Sequence, residues 1–268
     1  MNNKSLHTYV IPAYKESVYL EECIKSVLNQ KYKSDVLIAT STPNDYIYKL
    51  AKKYKINVIE NPDSGKGIGY DFDFAINIAN TEIVTIAHQD DIYDYEYSYN
   101  VVQKYLKNKD SQIIFTDYYE IKNNIKVYSN SNLKIKRLLL TPIKFSGLSN
   151  KKIIKRLILK FGCSISCPAV SFVKKNVELP IFASNLKCDV DWYAWEKLSR
   201  KNGRFSFVNK KLMGHRIHDE STTTEIIKDN IRTKEDFEIL RKFWPKSIAK
   251  IISKMYSNSE RSNNLLKK

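Results

Sequence analysis

Asp90 and Asp91 stand side by side at the end of an apolar run, Ile83-Val84-Thr85-Ile86-Ala87-His88-Gln89-Asp90-Asp91. Adjacent carboxylates repel, and both are costly to bury without a counter-charge. A divalent cation bridging to a phosphate removes both costs. The run before them is apolar and partly β-branched, as a central strand of a buried parallel sheet would be. In open α/β folds ligands bind at the carboxyl ends of strands. A solvated loop or a helix cap is the plain alternative for two aspartates in this setting.

Three other stretches hold groups with chemical potential. Asn61-Pro62-Asp63-Ser64-Gly65-Lys66-Gly67-Ile68-Gly69 contains three of the seven glycines, so its backbone can approach a ligand closely. It is not a Walker A loop, because no Lys-Ser/Thr pair opens the next helix. Its place and spacing also exclude the dinucleotide fingerprint. Asp189-Val190-Asp191-Trp192 opens a helical segment that either aspartate can cap. Trp192 and Trp195 in it either pack inward or offer a flat ring face to a ligand. Met213 to Ser221 reads as a polar loop, with His215 and His218, two of only four histidines, beside Arg216.

The elements that must position these groups alternate in the first half. Strands are expected over residues 7–12, 35–39, 56–59 and 83–88. Helices are expected over 16–29, from Pro43 to Tyr54, and over 71–79. That alternation predicts a doubly wound α/β half over about residues 5–120. The second half changes character. A helix over 96–107 precedes a strand at 111–116 that continues extended to Ile121, with a hairpin turn at Asn123-Asn124. Ala169 to Val173 is a strand able to return to the sheet, Phe205 to Val208 a late strand, and 230–244 a helix.

Composition bounds the remainder. The chain has 268 residues, 43% hydrophobic, with a formal net charge of +16. No apolar run reaches the length of a membrane span, and the N-terminus lacks signal-peptide patterning. The expected location is therefore cytoplasmic, or peripheral on the inner face of the membrane. The spacing of Cys23, Cys163, Cys167 and Cys188 forms no zinc ribbon, and they read as free thiols. The positive charge calls for nucleic acid, anionic lipid or phosphorylated substrates. A recognisable nucleic-acid motif is missing, so nucleic acid is not expected. Residues 150–161 are basic and amphipathic, with Ile153, Ile154, Leu157, Ile158 and Phe161 on one face. They suit a membrane surface, an acceptor groove or an ordinary packed helix. In the tail, Ile248, Ile251, Ile252 and Met255 form a stripe flanked by lysines, which either lies on an anionic membrane or packs back.

Val10-Ile11-Pro12-Ala13-Tyr14-Lys15-Glu16, the glycine-rich stretch 61–69, His88-Gln89-Asp90-Asp91, Asp191-Trp192, and Arg216-Ile217-His218 with Ser221 occur in the order seen in family 2 glycosyltransferases. The resemblance spans roughly residues 7–223. It implies the GT-A fold, an α/β architecture. A Rossmann-like nucleotide-binding half with a mostly parallel central sheet is merged with an acceptor-binding half. The implied layout is a catalytic domain over 1–225, with donor half 5–120 and acceptor half 121–225, and a basic amphipathic helical extension over 226–268.

The resemblance also implies roles. Pro12, Tyr14 and Glu16 line the base pocket. Asp90 meets the ribose or the metal, and Asp91 binds the metal, Mg²⁺ or Mn²⁺, between the donor phosphates. Asp191 is the catalytic base, with Asp189 as the neighbouring fallback. Arg216 and His218 belong to a late loop closing over the diphosphate, where His218 touches the metal. Lys66 and Asp71 join the donor-binding set. The sequence departs from the family pattern at three places. Ala39 and Thr40 stand where paired aspartates read the base, leaving Thr40 to hydrogen-bond there. His88 replaces an aspartate before the acidic pair. An Arg-Asn pair is missing from the following helix, where Asp71 and Asp73 are the polar candidates.

The expected activity is metal-dependent, inverting transfer from a nucleotide sugar, a UDP-hexose or UDP-N-acetylhexosamine. The acceptor is a saccharide or lipid-linked acceptor of bacterial surface polysaccharide synthesis, with an anionic membrane surface as a further partner. Residues His88 to Tyr93 also resemble rhamnosyltransferase-like members, which makes a dTDP-rhamnose donor the first alternative. A nucleotidyltransferase or nucleotide-sugar pyrophosphorylase, and a non-catalytic nucleotide-binding or nucleic-acid-binding module, are the others.

Overall fold

A computed structural model describes residues 5–63, 65–218 and 231–265. Its first half alternates β1 (His7–Ala13), α1 (Leu20–Leu28), β2 (Asp35–Thr40), α2 (Asp45–Tyr54), β3 (Asn57–Glu60), α3 (Ile68–Ile78) and β4 (Ile83–Ile86). The short β5 (Ile92–Tyr93) and α4 (Tyr97–Lys107) follow, then the long β6 (Ser111–Lys122) and β7 (Ile125–Val127). Asn123 and Asn124 between these two strands both have positive φ, as a two-residue hairpin turn requires. The chain continues with α5 (Ser131–Leu139), two 3₁₀ turns at Thr141–Lys144 and Ser146–Leu148, and α6 (Lys152–Leu157). Then come β8 (Val170–Val173), α7 (Val190–Ser199), β9 (Arg204–Ile217), α8 (Ile231–Leu240) and α9 (Lys246–Leu265).

One mixed sheet organises these elements in the order β3-β2-β1-β4-β8-β6-β9-β5, with β7 on β6. β3, β2, β1 and β4 are mutually parallel. β8 is antiparallel to both β4 and β6, and so joins the two halves. The return of this strand to the sheet is as expected. Alternate residues serve opposite layers. Tyr9, Ile11 and Ile83 pack with α1, α2 and α4, whereas Val10, Val84 and Ile86 pack with α3 and α7. Burial on both faces explains why β1 and β4 are nearly continuous apolar runs.

Several boundaries differ from expectation for local reasons. α1 begins at Leu20, not Glu16, because Lys15 adopts φ +54° and the chain loops before turning helical. α3 begins at Ile68, released by Gly67 at φ +108°. Gly69 is needed for a close approach: a Cβ there would lie 2.6 Å from the Phe182 carbonyl oxygen. β9 runs 14 residues, so His215 and Arg216 lie in a strand, not a loop. Trp192 and Trp195 are core residues, donating Nε1–H to the Leu159 and Ile165 carbonyls. Neither is placed to stack on a sugar.

The amphipathic reading of 150–161 is inverted at α6. Ile153 is 76% exposed, whereas Lys155 is fully buried. Its Nζ donates to the Gln112 side chain at 2.8 Å and to the Lys201 and Gly203 carbonyls. Burial lowers its pKa to about 8. The tail breaks at Pro245 and packs back through Ile239, Leu240 and Ala249, which enter the main core. Ile251 and Met255 stay exposed. Among the described residues no helix is long and apolar enough to cross a membrane.

Candidate active site

The site forms where β1, β2 and β4 end. His88, Asp90 and Asp91 follow β4, and one ligand atom from each lies within 4.8 Å of the others. His88 Nε2 is buried with no hydrogen-bond partner, and its ring packs on Phe72 at 5.0 Å. Burial lowers the His88 pKa, against the pull of Asp91 and Asp90, so the imidazole is kept neutral. An orphaned neutral imidazole nitrogen beside two carboxylates fits a divalent cation, because the ion would give the imidazole the partner it lacks and offset the repulsion between the carboxylates.

The two aspartates are used differently. The Asp91 side chain has 0% exposure. Its Oδ1 accepts the Arg216 backbone N–H at 2.8 Å, and His215 Nδ1 lies 3.1 Å from the same oxygen. Asp90 keeps 22% side-chain exposure, and its Oδ2 is 3.0 Å from His218 Nε2. Burial pushes the Asp90 pKa up, but the His218 hydrogen bond and the neighbouring imidazoles outweigh it, and the net shift is downward. Desolvation opposes charge on His215. Asp91 overcomes that and raises the His215 pKa. The metal role expected of Asp91 therefore falls on a carboxylate already holding two protein groups. Asp90 has the more open oxygens.

The Arg216 guanidinium is engaged by protein groups. It donates to the Asp90 carbonyl, to Asn124 Oδ1 and to Glu22, over the Tyr19 ring. At 5% exposure it braces the end of β9 against α1. His218, one residue past the same strand end, is bonded to Asp90. Ser221 lies outside the described residues.

The loop after β1 is tied down by hydrogen bonds to its backbone. Gln89 accepts the Tyr14 N–H at 3.0 Å and donates to the Tyr14 carbonyl at 3.1 Å. The Lys15 N–H donates to Thr42 Oγ1 at 2.6 Å. Thr40 is buried, and its hydroxyl accepts the Thr42 N–H. Pro12 and Tyr14 thus lie at the end of β1 beside Thr40, which pairs with Ala13 across the sheet, and Tyr14 is 51% exposed. Asp71 is bonded to Ser41 and to Asn61. Glu16 is exposed on the loop before α1. Lys66 is exposed and paired with Asp63 at 2.7 Å.

Asp191 lies in the first turn of α7, partly buried, with Oδ1 on the Trp192 N–H and Oδ2 3.5 Å from Cys163 Sγ. Burial first, then the charges of Asp191 and Asp91, push the Cys167 thiol up. Asp189 is not an equivalent base. It is 4% exposed, and burial followed by repulsion from Asp236 raises its pKa to about 9. It keeps its proton at neutral pH and cannot accept another.

Sequence reasoning did not assign His215, Gln89 or Glu22. His215 carried a signal, being one of four histidines beside an arginine. Gln89 sits inside the acidic motif. Glu22 offered none.

Residues 8–176 match the glycosyl transferase family 2 sequence family, and the chain belongs to it. It is accordingly an enzyme of the glycosyltransferase class. No curated protein sequence shows significant similarity to it. Among solved structures, the S. aureus TarS 1-349 fragment superposes with TM-score 0.60 at 15% identity, over 92% of this chain and 69% of that one. The mannosyltransferase PcManGT from Pyrobaculum calidifontis, in complex with GDP-Man and Mn2+, gives 0.58 at 13% identity over 96% and 70%. Glucosyl-3-phosphoglycerate synthase from Mycobacterium tuberculosis gives 0.59 at 14% over 89% and 80%. At such identities the likeness establishes the fold, a GT-A-like mixed sheet flanked by helices.

Proposed function

We propose that the enzyme transfers a sugar from a nucleotide sugar to a hydroxyl acceptor with inversion, using a divalent cation at His88, Asp90 and Asp91. The observation carrying this reading is the convergence of an unpartnered neutral imidazole and two carboxylates at the strand end, next to Gln89, which is bonded to the Tyr14 backbone. A bound cation would offset charge on the departing diphosphate. Asp90 and His88 are its main holders, Asp91 orients them through β9, and His218 steers the Asp90 carboxylate. A mixed nitrogen and oxygen set favours Mn²⁺ over Mg²⁺.

Asp191 takes the proton of the acceptor hydroxyl. That oxygen forms the new bond to the anomeric carbon from the face opposite the leaving group. The old carbon–oxygen bond breaks, and its electron pair leaves on the nucleoside diphosphate. The nucleobase lies against Pro12, Tyr14 and Thr40, with Asp71 at the rim and Glu16 and Lys66 at the outer edge. A UDP-hexose or UDP-N-acetylhexosamine is the preferred donor, since Thr40 offers one hydroxyl where a larger purine would need more contacts. The acceptor is a saccharide or lipid-linked saccharide of surface polysaccharide synthesis. Calorimetry with UDP-, GDP- and dTDP-sugars, with and without Mn²⁺, tests this. Manganese-dependent binding of a UDP-sugar is expected. Binding of no nucleotide sugar under either condition rejects the reading, and tight binding of dTDP-rhamnose alone moves the donor assignment to rhamnose.

A further inference from the structure

We propose that the strip made by α5, the two 3₁₀ turns and α6 is a docking surface for an anionic phospholipid bilayer. Five large apolar side chains in it, Ile135, Leu138, Phe145, Leu148 and Ile153, are 41% to 76% exposed. Scattered exposed apolar residues need no explanation, but five within neighbouring elements do. The elements are contiguous: the first 3₁₀ turn packs on α5, on the second turn and on α6.

Charge selects the occupant. Of the nine lysines and arginines from Lys134 to Lys160, Lys155 is buried and Arg137 and Arg156 pair with Asp117 and Glu196, which leaves six lysines, and no aspartate or glutamate occurs from Ile121 to Val177. Lys144, Lys151 and Lys152 are exposed among the apolar groups. Aliphatic side chains interleaved with lysines suit the headgroup boundary, where the former enter the acyl layer and the latter meet lipid phosphate. A second copy of the same face would set cations against cations in a two-fold dimer. A nucleic acid would gain little from exposed Leu and Ile.

The strip also reaches the site. Lys136 in α5 lies 5.4 Å from the Tyr118 ring, which packs edge-on against His215. Docking through α5 would therefore bring lipid headgroups beside the reacting centre. Only the lipid-linked acceptor rests on the glycosyltransferase reading given above. Lipid binding itself needs neither donor nor turnover.

Vesicle flotation of the full chain, without donor, is the test. Wild type should float with vesicles containing roughly one third phosphatidylglycerol and not with phosphatidylcholine alone. Combined Leu138→Ser, Phe145→Ser and Ile153→Ser should lower the bound fraction about tenfold without changing the melting temperature. Combined Lys144→Glu, Lys151→Glu and Lys152→Glu should do the same, and Ile251→Ser with Met255→Ser on α9 should have a smaller effect. Wild type unbound to anionic vesicles overturns the proposal, as does flotation of the apolar variant at the wild-type level. So does sedimentation showing that the apolar substitutions dissociate a dimer. Turnover on soluble acceptors without vesicles reads the glycosyltransferase assignment separately, so failure of one leaves the other standing.

Discussion

Asp91 Oδ1 accepts the backbone N–H of Arg216 at 2.8 Å, which makes the second aspartate of the strand end a clamp on β9. Asp90, bound to His218, stays open toward the cleft. The two should therefore separate in their effects. Asp90→Asn should weaken Mn²⁺-dependent donor binding at least about tenfold with little change in urea stability. Asp91→Ala should cost about 1–3 kcal/mol of stability, the penalty for a buried N–H left unpaired. Calorimetry and urea melts on both variants distinguish them. Donor binding unchanged in Asp90→Asn would remove it from the cation site.

Asp191→Asn should cut transfer by about 10²–10⁴-fold, the usual contribution of a positioned general base. Donor binding should persist, because Asp191 holds neither base nor cation. Single-turnover transfer with parallel calorimetry checks both halves, and near-normal transfer would sink the assignment.

Two buried carboxylates grip the loop that leads to Asp191. Asp73 on α3 accepts the N–H groups of Ile181, Phe182 and Ala183. Glu235 on α8 accepts those of Lys187, Cys188 and Asp189 at 2.8 to 3.0 Å. Charge-assisted bonds to three amides hold that backbone firmly. Glu235→Gln should loosen α7 and lower kcat about tenfold while donor affinity stays level. Equal losses in kcat and donor affinity would point to general unfolding instead.

Asp189 gives the pH dependence of stability. Burial first, then Asp236 and Asp191, raise its pKa to about 9, while Arg232 opposes them. Glu235 approaches its backbone from the same α8. Below the unfolded pKa both states carry the proton, and the wild type has its full stability. As pH rises toward 9 the native state keeps a proton that the unfolded chain has released, and stability falls. Asp189→Asn removes this titration and keeps a donor toward Asp236. It should match wild type near pH 4 and exceed it at pH 7.5 by several kcal/mol, at most about 5, the linkage value for a shift to about 9. Thermal melts across pH would show it, and parallel curves would refute it.

The parallel half was legible because β1 and β4 are apolar runs closed by turn and acidic signals. The Asp90-Asp91 pair was legible as a cation candidate because the two are neighbours at a strand end, whereas His88, part of the same cluster, had no role assigned. What escaped depends on distant partners. Arg216 is drawn into the wall by Glu22 and Asn124, 194 and 92 positions away. His215 faces Asp91 because β9 follows β6 through register shifts that local pattern does not encode. Lys155 reads as a surface lysine until Gln112 and the carbonyls of Lys201 and Gly203 are folded around it.

Gln89 fastens both polar atoms of its amide to the Tyr14 backbone. It is also the residue between His88 and Asp90 in the cation cluster. Nucleobase and ion would therefore meet one mechanical unit, and ordering by either ligand leaves less to be ordered by the other. Such a link is reciprocal by thermodynamic necessity: whatever factor the ion adds to nucleotide affinity, the nucleotide returns to the ion. Discharge of the nucleoside diphosphate and release of the cation would then be two readings of one equilibrium, with a single glutamine setting how tightly they are coupled.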